Sequence, residues 1–308
     1  MLWYLFSAIT NMNIAEQKQI MTQKPKVFAV VGPTASGKTS FAIELAEKIN
    51  GEIVSADSRL VYKGFDIGAA KPTLEERKGI PHHMIDIVEP EFDYSAGLYA
   101  EQAEEKIFEI LSRGKTPVVA GGTGLYFRLL LENYDVPKVE PDYELREKLA
   151  EYSYEELRAM LEKKDPSRAA EIEINDKKKI IRALELAEHL EKPLSEYKKD
   201  LKFDVEWLGM NFPREELYER INKRVDIMVK EGLIEECEHL LKKHGRIKNL
   251  TCTIGYQEMI AYLDNQTSLE EAKEKLKQNT RNYAKRQLTW FRKNPLIKWN
   301  CEPLRLKK

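Results

Sequence analysis

The sequence predicts an α/β fold: a parallel β-sheet with crossover helices, interrupted by a helical insert. Three observations carry that reading. Short apolar runs of buried-strand length alternate with stretches of helical period from Lys26 to Leu131. Residues 139–202 keep helical period, are dense in charge and hold no convincing strand. A strand-like run, Phe203 to Met210, then returns ahead of a mostly helical end that starts at Arg214.

The first strand is the apolar run Val27 to Val31. Gly32, Pro33, Thr34, Ala35, Ser36, Gly37, Lys38 and Thr39 follow it and fit the pattern G-x-x-x-x-G-K-[ST] at every defined position. Ser40 to Ile49 has its apolar positions at helical spacing and is stopped by Asn50-Gly51. A strand that turns through glycines into a helix aims backbone N–H groups, and the positive end of the helix dipole, at one point. Lys38 then reaches terminal phosphates and Thr39 is placed to hold Mg²⁺. The expected core is therefore P-loop NTPase-like.

Glu52 to Ser55 reads as the second strand, ending in Ala56 and Asp57. A loop-rich stretch rich in Gly and Pro runs from Leu60 to Pro90. Ser95 is the expected N-cap of a helix reaching Leu111, and Pro117 to Ala120 is a third strand running into Gly121, Gly122, Thr123 and Gly124. In open α/β sheets ligands bind beyond the carboxyl ends of the strands. The phosphate loop, Asp57 and the glycine turn with Thr123 all belong to that edge. Asp57 is its best-placed carboxylate, able to orient Mg²⁺ or accept a proton, because the third strand ends in glycines and offers no acid of its own.

Residues 1–24 read as a poorly ordered N-terminal extension, 25–138 and 203–308 as the P-loop core with its helical C-terminal part, and 139–202 as the insert. Met1 to Thr10 lacks a basic n-region and a small-residue cleavage site, and its roughly nine apolar residues are too few to span a bilayer. A cytoplasmic protein is expected. Charged residues make up 33% and apolar ones 42%, as in a soluble globular chain. Cys237, Cys252 and Cys301 are scattered, which supports neither a disulfide framework nor a zinc site. The His82-His83 pair has no partner at ligand spacing and is expected in a structural loop.

The net charge of −1 hides an asymmetry. From Arg214 onward there are 21 Lys and Arg against 14 Asp and Glu, so that part carries +7 and the remainder −8. The tail concentrates the skew: Arg281, Lys285, Arg286, Arg292, Lys293, Lys298, Arg305, Lys307 and Lys308 face one acid, Glu302. Tyr283, Trp290, Phe291 and Trp299 are interleaved with them. Two readings fit equally: a surface for phosphodiesters and unstacked bases, or a solvated amphipathic helix with aromatics in its core. Lys177, Lys178, Lys179 and Arg182 likewise crowd a helix start, against the dipole, and are either partnered by phosphates or merely solvated.

GPTASGKT, ADSRLVYKGFDIGAAKPT, PHHMIDIVEP, YSAGLY, GGTGLYFRLLL, IGYQEM and YAKRQLTWFR occur in this order. Together they resemble the bacterial-type tRNA dimethylallyltransferase (tRNA isopentenyltransferase) family, from about Lys26 to Trp299. The resemblance implies transfer of a dimethylallyl group from its diphosphate to the exocyclic N6 amine of the adenosine 3′ of the anticodon. It implies a monomer, off the membrane, that grips the anticodon stem-loop with core and insert. Position by position, it implies that Gly32 to Thr39 bind diphosphate and that Arg224 faces it. Lys38 and Thr123 would join Asp57, the general base, in catalysis. RNA contacts would come from Asp57, Ser58, Arg59, Leu60, Thr123, Arg146, Lys178, Lys179, Ile180, Ile181, Arg182 and Arg286, and from Cys252, Thr253, Ile254, Gly255, Tyr256 and Gln257. This chain departs from the usual pattern at Gln257, where a cation is lost, and at Lys178-Lys179, in place of a Gln-Arg type pair. The alternatives are a P-loop small-molecule kinase and an RNA-binding module without turnover. The absence of a D-D-x-x-D cluster leaves leaving-group stabilisation to the phosphate loop.

Overall fold

The computed structural model describes residues 24–300 except 133, 135–138, 173–175 and 198–199. The expectations for Met1 to Thr10 and for Arg305, Lys307 and Lys308 lie outside the described residues. The chain divides into two compact units, one of residues 1–131 with 202–308, the other of residues 132–201.

The larger unit is built on a six-stranded, all-parallel sheet of order β3-β2-β4-β1-β5-β6. The strands are β1 Lys26–Val31, β2 Gly51–Ala56, β3 His82–His83, β4 Thr116–Gly121, β5 Asp204–Gly209 and β6 Lys298–Trp299. Its principal helices are α1 Lys38–Lys48, α2 Ala96–Ser112 and α3 Gly124–Leu131, followed after the insert by α8 Arg214–Lys230, α9 Leu233–His244, α10 Lys248–Thr251, α11 Tyr256–Leu263 and α12 Leu269–Phe291.

β1 is fully covered on both faces, as central strands of parallel sheets are. Val27, Ala29 and Val31 face one core with Val54, Ala56, Val119 and Trp207, closed by α2, α3 and the C-terminal helices. Phe28 and Val30 face the other, packed by Phe41, Ala42, Leu45 and Ala46 of α1. In register, Gly121 pairs with Val31 on one side and Ala56 on the other. Three strands therefore stop on one line, and the connections leaving them share one edge.

The His82-His83 pair forms the edge strand β3 rather than a loop, paired to Ile53 and Val54. His83 Nε2 lies 2.7 Å from the Glu52 carboxylate, which Arg113 and Lys115 also hold at 2.8 and 3.1 Å. Burial opposes ionisation of Glu52, but these bonds outweigh it and hold the carboxyl below its ordinary range. A clamp on the edge strand explains the histidine without a metal.

The smaller unit contains α4 Tyr143–Ala150, α5 Tyr154–Lys164, α6 Pro166–Glu171 and α7 Lys177–His189. Asp142, Ser153, Asp165 and Asp176 cap these helices, each accepting from the backbone N–H three residues on. Leu149, Leu157, Leu161, Ala169, Ile172, Ile180, Ala183 and Leu184 make its core. Glu185 is the one charged group fully sealed within α7. It accepts from Arg146 Nε and Nη2, both at 2.9 Å, from the Asp142 N–H at 2.6 Å, and from Arg182.

Burial disfavours the Glu185 anion, yet the two guanidinium groups prevail and its carboxyl sits below the usual glutamate value. Its contribution is thus complete above that ordinary value and fades as pH falls through the lower folded one. We expect Glu185→Gln to cost the insert about 1–3 kcal/mol. Hydrogen exchange should then speed up in α4 and α7 at pH 7, and the variant should lose the wild type's extra acid sensitivity.

Candidate active site

A cavity of about 510 Å³ opens beyond the carboxyl ends of β1, β2 and β4. Its floor is the phosphate loop. Gly37 (φ 77°) and Ala35 (φ 61°) take left-handed backbone conformations that turn the chain from β1 into α1. A Cβ on Gly32 would lie 2.5 Å from the Met210 carbonyl oxygen, so that position tolerates only glycine. The first turn of α1 leaves its N–H groups without intrahelical acceptors, and they face the cavity end of the helix. Lys38 curls over the loop, donating to the Pro33 carbonyl at 3.2 Å. Ser36 is buried and its hydroxyl has no partner among the described residues.

Three charged groups meet above this floor: Lys38, Arg224 from α8 and Asp57 from the end of β2 all line the cavity. Burial pushes the Lys38 ammonium down to about 8; the Asp57 charge raises it and Arg224 lowers it further. Burial also lowers Arg224, against the opposing pull of Asp57 and Glu76. Two half-buried cations facing one carboxylate leave a net positive hollow, which suits an anion. Arg220, one helical turn before Arg224, donates to the Ala35 carbonyl at 2.9 Å and lies over Phe212.

Asp57 Oδ1 accepts from the Arg59 N–H at 2.9 Å, and the Ser58 N–H donates to Thr123 Oγ1 at 3.0 Å. The Thr123 N–H in turn donates to the Ala56 carbonyl. The glycine turn must run this close: a Cβ on Gly121 would lie 2.1 Å from the Ala56 oxygen. Tyr283 of α12 lines the same cavity, and its hydroxyl is raised by burial and by the Asp57 charge.

Sequence reasoning did not single out Gln287. Its side-chain amide accepts from the Thr34 N–H at 2.8 Å and donates to the Gly122 carbonyl at 3.0 Å. A Cβ on Gly122 would sit 2.1 Å from its nitrogen. Only the lack of a side chain at Gly122 hinted at a close neighbour, and sequence could not name it. Tyr283, Arg286 and Gln287 line the cavity together with Asn279 and Thr280.

The remaining expected positions separate. Arg59, Leu60, Cys252, Thr253, Ile254 and Gln257 line the cavity, with Arg59 Nη1 on Thr253 Oγ1 at 3.0 Å. Tyr256 is fully buried and its hydroxyl donates to Glu236 at 2.7 Å, so its side chain is framework and not an RNA-facing surface. Glu236 also holds the Ile67 and Gly68 N–H groups and thereby fixes a cavity wall. In the insert, Ile180 is core as well. Arg146 and Arg182 are committed to Glu185, Lys179 pairs with Asp176, and Lys178 is exposed.

A model of the IPP transferase family matches residues 60–294. The chain belongs to the bacterial-type tRNA dimethylallyltransferase family. It is similar to the tRNA dimethylallyltransferase of Macrococcus caseolyticus, 45% identical over 284 residues and 90% of each chain. That of Pelotomaculum thermopropionicum is 46% identical over 286 residues, 90% of this chain and 91% of the relative. The crystal structure of a tRNA isopentenylpyrophosphate transferase from Bacillus halodurans aligns with TM-score 0.68 at 42% identity, over 90% of this chain and 89% of that one. A eukaryotic dimethylallyltransferase, captured acting on tRNA, aligns with TM-score 0.76 at 32% identity, over 87% and 70%. This chain is accordingly an enzyme of the tRNA dimethylallyltransferase class, and the kinase and non-catalytic alternatives fall away.

Among the described residues no three His, Cys, Asp or Glu side chains converge as a metal cage. Mg²⁺ does not need one, because it keeps waters and binds through one or two protein oxygens plus substrate phosphates. The Thr39 hydroxyl and Asp57 carboxylate, both lining the cavity, fit a magnesium diphosphate in that manner. No helix among the described residues is long and apolar enough to cross a membrane.

The protonated Lys38 is the form that pairs with a diphosphate, and it is lost as pH rises through about 8. We expect affinity for inorganic diphosphate, read by calorimetry, to fall above that pH. Lys38→Met should bind more weakly throughout and lack this part of the pH dependence.

Proposed function

We propose that the cavity holds dimethylallyl diphosphate on the phosphate loop and receives the adenosine 3′-adjacent to the tRNA anticodon from the side of Asp57 and Thr123. The observation that carries this is the meeting of Lys38, Arg224 and Asp57 in one hollow whose floor is the phosphate loop. The loop N–H groups, Lys38 and Arg224 would neutralise the diphosphate as it departs. A magnesium ion, held by Thr39 and the phosphates, would supply further charge neutralisation.

The exocyclic N6 lone pair is delocalised into the adenine ring, so the amine is a poor nucleophile. Its attack on C1 of the dimethylallyl group forms the N–C bond while the C1–O bond breaks, and diphosphate leaves with the electron pair. The amine becomes strongly acidic as this happens. Asp57 takes the proton, and N6-(dimethylallyl)adenosine results. This chemistry requires the base to leave the anticodon-loop stack and enter the pocket. Thr123, held to the Ser58 N–H, and Tyr283, which lines the cavity, would border that base.

Cations carry the rest of the tRNA reading. Lys178 and Lys179 in the insert, and Arg286 with its exposed neighbours on α12, would meet phosphates of the anticodon stem-loop. The protein is proposed to act as a cytoplasmic monomer.

The direct test is mass spectrometry of tRNA nucleosides after incubation with isotopically labelled dimethylallyl diphosphate; absence of labelled prenyladenosine would overturn the reading. Asp57→Asn keeps size but cannot accept the proton, so kcat should fall on the order of a hundredfold or more, with donor affinity nearly unchanged. Restoration of the rate by raised Mg²⁺ would assign Asp57 to the metal instead. Neutralising two of Lys178, Lys179 and Arg286 should lower the log–log salt slope of tRNA binding by roughly one to two units.

A further inference from the structure

Trp290 is the residue of α12 for which neither the core nor the cavity accounts. It lies on the helix face that carries Tyr283, Arg286 and Gln287, at spacings of seven, four and three residues. Its neighbour across the gap is Gly124, the residue after Thr123. A Cβ built on Gly124 would stand 2.1, 2.3 and 2.5 Å from Trp290 Cδ1, Nε1 and Cγ. Near-equal distances to three adjacent ring atoms place the glycine over the ring face and not at its edge. One face of the indole therefore rests on the backbone of the glycine turn.

The remainder of the ring is uncovered. Trp290 is 37% exposed and Leu125, which follows Gly124 in the first turn of α3, is 40% exposed. Among the described residues the indole has no ring-stacking or cation partner, and its N–H has no acceptor. A large aromatic pinned on one side and open on the other is unlike Phe291, which is 2% exposed and packs edge-on against Phe127 at 5.7 Å. The surroundings are cationic: Lys285, Arg286, Arg292 and Lys293 are all exposed, and none makes an ion pair among the described residues. An apolar platform ringed by cations without ion-pair partners suits a π-face carried on a phosphodiester chain, and repels a basic partner.

We infer that Trp290 is a stacking platform for an unpaired base of the substrate RNA loop, next to the adenosine that enters the pocket. This rests on the proposed function. Pulling one nucleotide out of a loop strips its neighbour of a stacking partner, and a base nearby then needs a new one. Trp290 lies one helical turn from Arg286 and beside the turn holding Thr123, where such a neighbour would emerge. Gly124 is then required because any side chain there would lift the indole out of place.

The test compares Trp290→Ala, Trp290→Phe and Trp290→Leu with the wild type. The ligand is a synthetic anticodon stem-loop, intact or abasic at each nucleotide flanking the target. We expect Trp290→Ala to weaken binding of the intact RNA by roughly tenfold or more, in the range measured for base–aromatic stacking. Phe should restore most of that and Leu little, because Leu refills the space without a π-face. One abasic RNA should bind wild type and Trp290→Ala alike. The salt slope and the affinity for dimethylallyl diphosphate should not move, since no charge is removed. Equal losses on intact and every abasic RNA, or full rescue by Leu, would overturn the inference and make Trp290 a structural cover. Should the Ala variant unfold, the Phe and Leu pair decides by the same criteria. A wild-type protein that prenylates no tRNA would instead overturn the functional reading itself.

Discussion

Gly121 pairs with Val31 on one side and with Ala56 on the other, and the site depends on that register. It brings the phosphate loop, Asp57 and the glycine turn to one edge, though they come from positions far apart in the chain. A slip of one residue in β1 would exchange its two faces, so the different cores against Val27, Ala29 and Val31 on one side and Phe28 and Val30 on the other enforce the alignment. The 2.1 Å that would separate a Gly121 Cβ from the Ala56 oxygen shows how little slack remains. Catalytic geometry here is a by-product of core packing.

Charge placement follows from the same frame. Lys38 and Arg224 are half-buried near each other, an arrangement that costs free energy unless an anion is present. Asp57 offsets part of that cost, and the first turn of α1 adds its dipole without adding a proton-dependent group. A prenyl-transfer site built on a carboxylate cluster would gather metal ions first and diphosphate through them. This one presents protein cations and amides directly, and the one carboxylate that lines the cavity among the described residues, Asp57, is the base of the proposed transfer.

The long helix α12 forms the opposing wall, and it is joined to both halves of the floor by side chains rather than by backbone pairing. Gln287 takes one phosphate-loop N–H and gives one bond to the Gly122 carbonyl. The helix that carries the exposed cations is thus fastened to the loop that would carry the donor. Gly122 and Gly124 are small because Gln287 and Trp290 fill the space above them. The glycine turn serves the helix as much as it serves the ligand.

Most of the architecture was legible from local rules. Val27 to Val31 is too apolar for anything but a buried strand, the phosphate-loop motif fixes its own turn and helix, and Ser95 caps α2 where expected. Asp57 was legible too, because a carboxylate closing a parallel strand can only sit at the ligand edge. Gln287 was not, since 165 residues separate it from Gly122 and no periodicity encodes a contact at that range. Tyr256 and Ile180 lay within stretches read as RNA contacts, yet the structure buries them, because burial is a property of what packs alongside. The same holds for Arg146 and Arg182, whose shared partner Glu185 emerges only when α4 and α7 are brought together. The sequence by itself determined the four long strands, the anion-binding turn and the acid beside it, each of which is set by neighbours along the chain, but not the two-residue edge strands β3 and β6. Which distant side chains lock that turn, and which cations stay open to solvent, was decided only by tertiary packing.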